Sequence, residues 1–299
     1  INIKKNDNMK IGDKMKRRKL KKAPKIILIL LIIFLIIVGI TINQNNKTPN
    51  SEQKLTQEEK ILQNLKKIPY YKKENKNRYL KYQQEHKNKK TEEIVTDVNI
   101  GIDKPYYTNT KPSKLLNSNL ILVNKYNYLT EDYIPENLEE ISIEYARSGM
   151  QLVSEAKEAF ETLSQEAKKD GMTIIAMSSY RSYDYQVNLY NNYVKSDGKD
   201  AADTYSARPG FSEHQTGLAV DIYNKELPYT SFEETKEFEW MQKNAYKYGF
   251  ILRFPKDKVN ITGYQYEAWH YRYVGKKAAK YIHDHNITLE EYYIKKVEN

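Results

Sequence analysis

Residues 206–223 of this 299-residue chain read SARPGFSEHQTGLAVDIY and place a histidine, His214, seven positions before a carboxylate, Asp221. After the turn expected at Gly217, apolar residues alternate with small or acidic ones, which is typical of a β-strand buried on one face. The apolar positions are Leu218, Val220 and Ile222. Because these three side chains face a core, we expect Asp221 to point into a cleft on the other side of the strand.

A second motif lies about fifty residues downstream, in the aromatic run TGYQYEAWHYRYVG at 262–275. It contains Glu267 and, three positions later, His270. A lone histidine beside aromatic residues is more often a hydrogen-bonded core residue than a metal ligand, and a lone aspartate at a strand end is usually a cap. In combination, however, two histidines, one aspartate and a spare glutamate match a catalytic zinc site with three protein ligands, an open position and a separate base.

Two glutamates compete for the role of that base. Glu213 precedes His214 in an extended segment, so its side chain is expected to point away from the metal. Glu267 and His270 would face opposite sides of a regular strand, because side chains alternate along it. We therefore favour Glu267 as the base and expect a turn or bulge at residues 267–269.

These motifs resemble those of the VanY-type zinc D-Ala-D-Ala carboxypeptidases. Three separated segments match in the right order, and the similarity extends over roughly residues 117–286. The matching segments are SYRS at 179–182, SEHQTGLAVD at 212–221 and EAWH at 267–270. The resemblance implies a hedgehog/D,D-peptidase-like fold and one Zn²⁺ per chain.

The resemblance also implies roles for individual residues. The implied metal ligands are His214, Asp221 and His270, the implied general base is Glu267, and the implied substrate-binding residues are Arg181, Ser212 and Gln186. Arg181 follows an apolar strand, where its planar guanidinium could grip a carboxylate or form a surface ion pair. In VanY-like enzymes the arginine of this motif binds the C-terminal carboxylate of the peptide. Such a contact one residue beyond the scissile bond would restrict cleavage to the last residue.

The motifs therefore predict a zinc carboxypeptidase that removes the C-terminal D-alanine from peptidoglycan stem peptides. An L,D-carboxypeptidase stays open, because it carries almost the same motifs. A cell-wall endopeptidase of the same superfamily, which would not need Arg181, also stays open. A non-catalytic peptidoglycan-binding module is a further alternative, against which the intact Glu267 argues. The other histidines, His86, His283 and His285, are expected to be structural or exposed.

Charge is distributed unevenly along the chain, which carries 49 Lys and Arg against 39 Asp and Glu. Residues 1–25 have a net charge of +9 and residues 51–90 of +7, whereas residues 91–299 have −7. The basic excess thus lies outside the predicted catalytic region and gives no support for nucleic-acid binding. The absence of cysteine excludes thiol catalysis and cysteine zinc ligands, and it fits an exported protein without disulfides.

Residues 26–42 form an uncharged apolar run, IILILLIIFLIIVGITI. These 17 positions would reach roughly 25 Å as a helix, at the short end of a bilayer span. Eight Lys or Arg lie within residues 14–25, and the positive-inside rule places that flank in the cytoplasm. A cleaved signal peptide is the main alternative, but no Ala-x-Ala site follows the run. We expect a single-pass anchor in membrane lipid, with the catalytic domain on the outer side of a bacterial cell membrane.

The predicted domain organisation follows from these features. A basic cytoplasmic tail at 1–25 and the anchor at 26–42 precede a linker and charged helical stalk at 43–116, and the zinc carboxypeptidase domain spans 117–299. The stalk contains too few large aliphatic residues to bury much surface. In the catalytic region, a strand is predicted at 120–125 and a long helix at 141–169. Strands and helices that cluster rather than alternate indicate an α+β fold, with an antiparallel sheet and helices packed on one side.

Overall fold

The computed structural model describes residues 33–37 and 56–298. Residues 33–37 are helical and expose their apolar side chains, whereas the rest of the predicted anchor and the whole basic tail at 1–25 lie outside the described residues. None of the helices in the described part of the chain combines the length and apolar character that a membrane span needs. The described residues from Thr56 onward belong to one compact unit.

Short strands and helices of mixed length make up this unit. The helices are α1 (Gln57–Leu65), α2 (Lys76–Glu85), α3 (Thr91–Ile100), α4 (Ser154–Lys169), α5 (Tyr183–Asp197), α6 (Lys199–Tyr205), α7 (Lys236–Asn244), α8 (Val259–Thr262), α9 (Lys276–His285) and α10 (Leu289–Tyr292). The strands are β1 (Lys111–Pro112), β2 (Asn127–Tyr128), β3 (Leu138–Glu140), β4 (Gln151–Val153), β5 (Ile175–Ser178), β6 (Ala219–Tyr223), β7 (Phe250–Leu252) and β8 (His270–Tyr273).

A four-stranded antiparallel sheet in the order β5-β6-β8-β7 lies at the centre. Its side chains alternate between two faces, as strand geometry requires. Val220 and Ile222 of β6 belong to the main hydrophobic core, together with Phe160 of helix α4. Asp221, between them, is buried on the opposite face beside His270 of β8. The mixed helix and sheet class and the antiparallel sheet predicted from the sequence are confirmed.

The N-terminal helices do not form the stalk that the sequence predicted. Helices α1 to α3 enclose a hydrophobic cluster of their own, which we call the helical cluster. Its buried members are Leu65, Tyr70, Tyr79, Tyr82, Ile94, Val95, Val98, Ile100 and Ile294. Three tyrosines supply a large share of its buried surface, which a count of aliphatic residues overlooked. Because Ile294 comes from the C-terminal end of the chain, this cluster joins residues from both sides of the predicted boundary at residue 117.

Two elements predicted for the catalytic region also differ. The strand at 120–125 does not form, and Arg272 Nη2 donates hydrogen bonds to the carbonyls of Asn119 and Ile121 at 3.0 and 2.8 Å. A buried side chain thus satisfies backbone groups that a sheet ladder would otherwise pair. The helix predicted at 141–169 begins only at Ser154, because strands β3 and β4 pair before it.

Candidate active site

The structure brings His214, Asp221 and His270 together. One possible ligand atom from each lies within 4.8 Å of the others, and all three residues are buried. His214 Nε2 is 3.3 Å from Asp221 Oδ2, and His270 Nδ1 is 2.9 Å from Asp221 Oδ1. Two imidazole nitrogens and a carboxylate oxygen form a donor set that zinc prefers at catalytic sites. The three residues predicted as ligands therefore fit a zinc ion.

Sheet register and one tight turn position these side chains. Asp221 of β6 and His270 of β8 are directly opposite each other in the antiparallel pair. His214 lies in a 3₁₀ turn, Glu213–Thr216, which ends at Gly217 with a φ of 67°. A Cβ atom at Gly217 would lie 2.8 Å from Leu138 Cδ2, so glycine is required both for the left-handed backbone and for the close contact.

The hydrogen bonding of His214 suits a metal ligand. Its Nδ1 lies 2.6 Å from the carbonyl oxygen of Ser179, so Nδ1–H donates there and Nε2 is left with a lone pair facing Asp221. Burial and the nearby charge of Arg181 lower the pKa of His214. The imidazole is therefore held in the neutral form that a metal ligand requires.

The other two ligands, Asp221 and His270, shift each other's pKa. Burial acts to raise the pKa of Asp221, but the neighbouring His214 and His270 hold it well below its usual range. Burial likewise acts to lower the pKa of His270, but the hydrogen bond to Asp221 and the nearby carboxylate of Glu213 raise it to about 9. The raised pKa of His270 means that the carboxylates around it favour a positive charge at this position.

Glu267 lies on the same side of the site as the ligands. The backbone N–H of His270 donates to the carbonyl of Glu267 at 3.3 Å, and residues 268–269 form a turn before β8 begins. The turn expected at 267–269 is thus present and places Glu267 Oε2 3.8 Å from His270 Nδ1. Burial raises the pKa of Glu267 to about 7, close to the value that suits a general base near neutral pH.

A cleft of about 350 Å³ opens onto this cluster, and Arg181, Ser212 and Gln186 all line it. Arg181 Nη2 donates to Asp221 Oδ2 at 2.7 Å, while its Nε and Nη2 contact Ser178 Oγ. Gln186 Nε2 donates to the carbonyl of Ala207 at 2.8 Å. Its Oε1 is buried and has no hydrogen-bond partner among the described residues, so an acceptor is available to a ligand in the cleft.

Aromatic walls and a buried charge network were not singled out from the sequence. The rings of Tyr229 and Trp269 meet edge to face at 5.0 Å on one side of the cleft. A high tyrosine content was the only sequence signal for these walls, and it is spread over the whole chain. Glu213, which the sequence predicted to point away from the metal, is buried against Arg253 and Arg272. The three remaining histidines do not line the cleft.

Comparisons with known proteins agree with this geometry. The family model described as VanY, D-alanyl-D-alanine carboxypeptidase, matches residues 149–276. The chain is 46% identical over 183 residues to YodJ of Bacillus subtilis (strain 168), which is named as a carboxypeptidase. That alignment covers 59% of this chain and 67% of the relative.

Two solved structures are also similar. The LdcB LD-carboxypeptidase is 43% identical with a TM-score of 0.59, and the match covers 63% of this chain and 91% of that one. A variant of the vancomycin resistance D,D-pentapeptidase VanY, in complex with Zn(II), is 38% identical with a TM-score of 0.51. This second match covers 58% of this chain and 98% of that one. From its motifs, its zinc-compatible cluster and these similarities, we conclude that the chain belongs to the VanY family of D-alanyl-D-alanine carboxypeptidases.

Proposed function

We propose that the protein is a zinc-dependent carboxypeptidase that removes the C-terminal D-alanine from peptidoglycan stem peptides. The observation that carries this proposal is the placement of Glu267 on the same cleft as three buried zinc-compatible ligands. A binding module would have no use for a carboxyl group whose pKa burial raises to about 7 beside the ligands. The similar VanY structure with Zn(II) supports both the metal and the reaction class.

The residues of the site divide the work of peptide hydrolysis. His214, Asp221 and His270 would hold the zinc ion, which would supply Lewis-acid chemistry toward a carbonyl oxygen and a water molecule. Glu267 accepts the proton that the attacking water loses and returns it to the nitrogen of the departing alanine. Burial raises the pKa of Glu267 to about 7, so its carboxyl group can both accept and release a proton near neutral pH.

Recognition of the peptide end explains why only one residue leaves. Arg181 presents a guanidinium to the cleft and binds the free C-terminal carboxylate, one residue beyond the scissile bond. Gln186 offers its unpaired Oε1 to a backbone N–H of the peptide, and Ser212 lines the same wall. An internal peptide bond would leave the Arg181 charge without a partner, which disfavours endopeptidase activity.

An L,D-carboxypeptidase is the second candidate. The observation that favours it is the similarity to the LdcB LD-carboxypeptidase, at 43% identity against 38% for the D,D-specific VanY. Both activities require a free carboxylate and the same metal site. They differ in the residue on the amino side of the scissile bond, which is D-alanine for the D,D activity and an L-configured residue for the L,D activity.

Mass spectrometry of defined stem peptides tests the proposal and separates the candidates. The purified full chain, loaded with zinc, is incubated with a pentapeptide ending in D-Ala-D-Ala and with the corresponding tetrapeptide. We expect the pentapeptide to lose one alanine and the tetrapeptide to persist. Loss of alanine from the tetrapeptide alone would establish the L,D activity, and no product from either peptide would refute both.

We further propose that residues 26–42 anchor the protein in the cell membrane, with the catalytic unit outside. The support is the apolar run in the sequence and the basic flank that precedes it. Protease added to intact cells is expected to release a fragment that carries the catalytic unit. Survival of the full-length protein under conditions that digest an outer marker, with a cytoplasmic marker intact, would refute this orientation.

A further inference from the structure

Two buried polar atoms face each other behind the ligand His270. The Oε2 atom of Glu213 and the Nε2 atom of His270 are both enclosed, and neither has a hydrogen-bond partner among the described residues. They lie 3.7 Å apart, and each residue is 4% exposed. Buried polar groups are almost always paired, so two facing atoms without partners call for an explanation.

The other half of the Glu213 carboxylate is held firmly. Its Oε1 accepts hydrogen bonds from Arg253 Nε at 2.8 Å and from Arg272 Nη1 at 2.9 Å. Both arginines are fully buried, and Arg253 also pairs with Glu290. With two guanidinium groups against it, Glu213 stays ionised, so its Oε2 can act only as a hydrogen-bond acceptor.

The ring of His270 leaves a single arrangement for its proton. Its Nδ1 lies 2.9 Å from Oδ1 of the ligand Asp221, whereas its Nε2 faces Glu213, so Nδ1 is the nitrogen that must carry the lone pair when a metal binds. The ring also stacks on Phe254, with centroids 4.9 Å apart, which limits its rotation. A neutral imidazole that ligates through Nδ1 carries its proton on Nε2, the atom that faces Glu213.

We infer that Glu213 is a positioning residue, whose Oε2 accepts the Nε2–H of His270 and thereby presents Nδ1 to the zinc ion. The inference rests on the zinc site of the proposed function and adds to it a carboxylate outside the ligand set. One 3₁₀ turn, Glu213–Thr216, then supplies both the ligand His214 and the group that orients the ligand of another strand. Such partners of ligating histidines fix the tautomer and raise the basicity of the metal-binding nitrogen.

The Glu213→Gln variant tests this role with almost no change in size. Arg253 and Arg272 will hold the amide oxygen of the substituted side chain in the place of Oε1, so the amide NH₂ will face His270. A donor at this position makes Nε2 the acceptor and moves the imidazole proton to Nδ1, the nitrogen that must bind zinc. We expect the dissociation constant for zinc, measured by chelator competition on the full chain, to rise about 10–100-fold.

Glu290→Gln is the matched control. It removes the same charge from the same buried arginine network, because Glu290 pairs with Arg253, but it does not contact His270. We expect its zinc affinity to stay within about threefold of wild type. An equal loss of affinity in both variants would overturn the inference, because the network as a whole would then be responsible. Unchanged affinity in Glu213→Gln would overturn it as well.

Imidazole ¹⁵N NMR of the zinc-loaded wild type tests the same inference without any substitution, so its result does not depend on whether the variants fold. We expect a proton on Nε2 of His270 that exchanges slowly with solvent, with Nδ1 as the metal-bound nitrogen. A His270 that ligates through Nε2, or whose Nε2–H exchanges as fast as that of an exposed histidine, would overturn the inference. A wild type that binds no zinc would instead refute the proposed function itself.

Discussion

Among the single residues of the site, Glu267 has the surroundings most characteristic of a catalytic group. It is 7% exposed, lies near His270 without being one of the three clustered ligand residues, and burial raises its pKa to about 7. We expect Glu267→Gln to lower kcat by about 10²–10⁴-fold, because glutamine keeps the size but cannot accept and return a proton. Zinc content, measured by metal analysis, should stay at one per chain.

Glu237→Gln serves as the control for this change. Glu237 is also buried, but it contacts the backbone N–H of Thr173 and the side chain of Asn224, outside the cleft. Its loss should alter stability and leave kcat close to wild type. Turnover in Glu267→Gln above a tenth of the wild-type rate would contradict the assignment of the base.

Arg181 is expected to determine the preference for peptides with a free C-terminal carboxylate over peptides with an amidated C-terminus. An amidated peptide should be a poor substrate for the wild type, because it lacks the carboxylate that the guanidinium binds. Arg181→Ala should narrow the ratio of kcat/KM between free and amidated peptides, since a desolvated charge-assisted contact contributes about 2–5 kcal/mol. Arg181 also donates a hydrogen bond to the ligand Asp221, so its loss can change zinc binding. Such a change lowers kcat/KM for the free and the amidated peptide alike and therefore cancels in the ratio of the two values.

The Arg208→Ala variant controls for the removal of a positive charge near the cleft. Arg208 pairs with Asp203 and does not line the cleft itself. Its removal should leave the preference for the free peptide in place. If the wild type cleaved both peptides equally well, Arg181 would not be the carboxylate anchor, and the endopeptidase hypothesis would gain support.

The sequence predicted these site residues for a physical reason. His214 and Asp221 are close along the chain, and Glu267 precedes His270 by three positions, so local spacing already reveals two pairs. The contact between Glu213 and His270 joins residues far apart in the sequence, and only the pairing of β6 with β8 brings them together. Long-range partners of this kind leave no periodic signal.

At the level of elements, side chains stabilise the segment 120–125 before β2 in place of the hydrogen bonds that a β-strand would make. Lys125 is 2% exposed, and its Nζ lies 4.7 Å from the ring centre of Tyr106 and 4.4 Å from that of Tyr264. It also donates to the carbonyl of Asp203 in helix α6. The continuous apolar run that opens 120–125 fits a strand, but the buried lysine and the bonds from Arg272 hold the segment as an irregular connection.

Lys125 gives this connection a measurable pH dependence. Burial lowers the pKa of Lys125 to about 8, against about 10.4 in an unfolded chain. Between pH 8 and 10 the unfolded state holds a proton that the native state has lost, so this group makes stability rise with pH. Relative to Lys125→Met, the wild type should therefore gain about 2 kcal/mol in the free energy of unfolding across this window.

Urea unfolding of both proteins at several pH values measures this effect. Comparing the two at each pH cancels the contributions of other groups, such as His270 and the buried tyrosines, whose pKa values are raised. Below about pH 7, Lys125 is protonated in both the native and the unfolded state, and the difference between wild type and variant should stay constant. Parallel stability curves throughout would show that Lys125 titrates as it does in water.

For the molecule as a whole, the N-terminal helices change the view of its architecture. The sequence predicted a solvated stalk because residues 51–90 are highly charged and contain few aliphatic residues. The structure instead encloses Tyr79 and Ile94 completely and packs them in one cluster with Ile294, near the C-terminus. An ion pair of 2.7 Å between Lys72 and Glu298 joins the same two parts of the chain. The packing of tyrosines in the tertiary structure thus encloses a segment that composition alone predicted to be solvated.

Cooperative unfolding of the helical cluster with the catalytic sheet is the consequence that can be tested. Ile94→Ala should lower the free energy of unfolding by about 2–5 kcal/mol, because it leaves a cavity in a fully buried cluster. Both tryptophans, Trp240 and Trp269, lie outside the helical cluster, so their fluorescence reports on the catalytic part alone. We expect the fluorescence and far-UV circular dichroism transitions to shift together.

Lys81→Ala on the exposed side of helix α2 is the control, and it should change the stability by less than about 0.5 kcal/mol. Should Ile94→Ala unfold the helices early while the tryptophan transition stays in place, the helices would be an independent module. In a single cooperative unit, by contrast, a cavity far from the cleft must weaken the catalytic sheet as well. The helical cluster then contributes to the stability of the sheet on which Asp221 and His270 are placed, and a fragment that begins at residue 117 should be less stable than one that begins at Thr56.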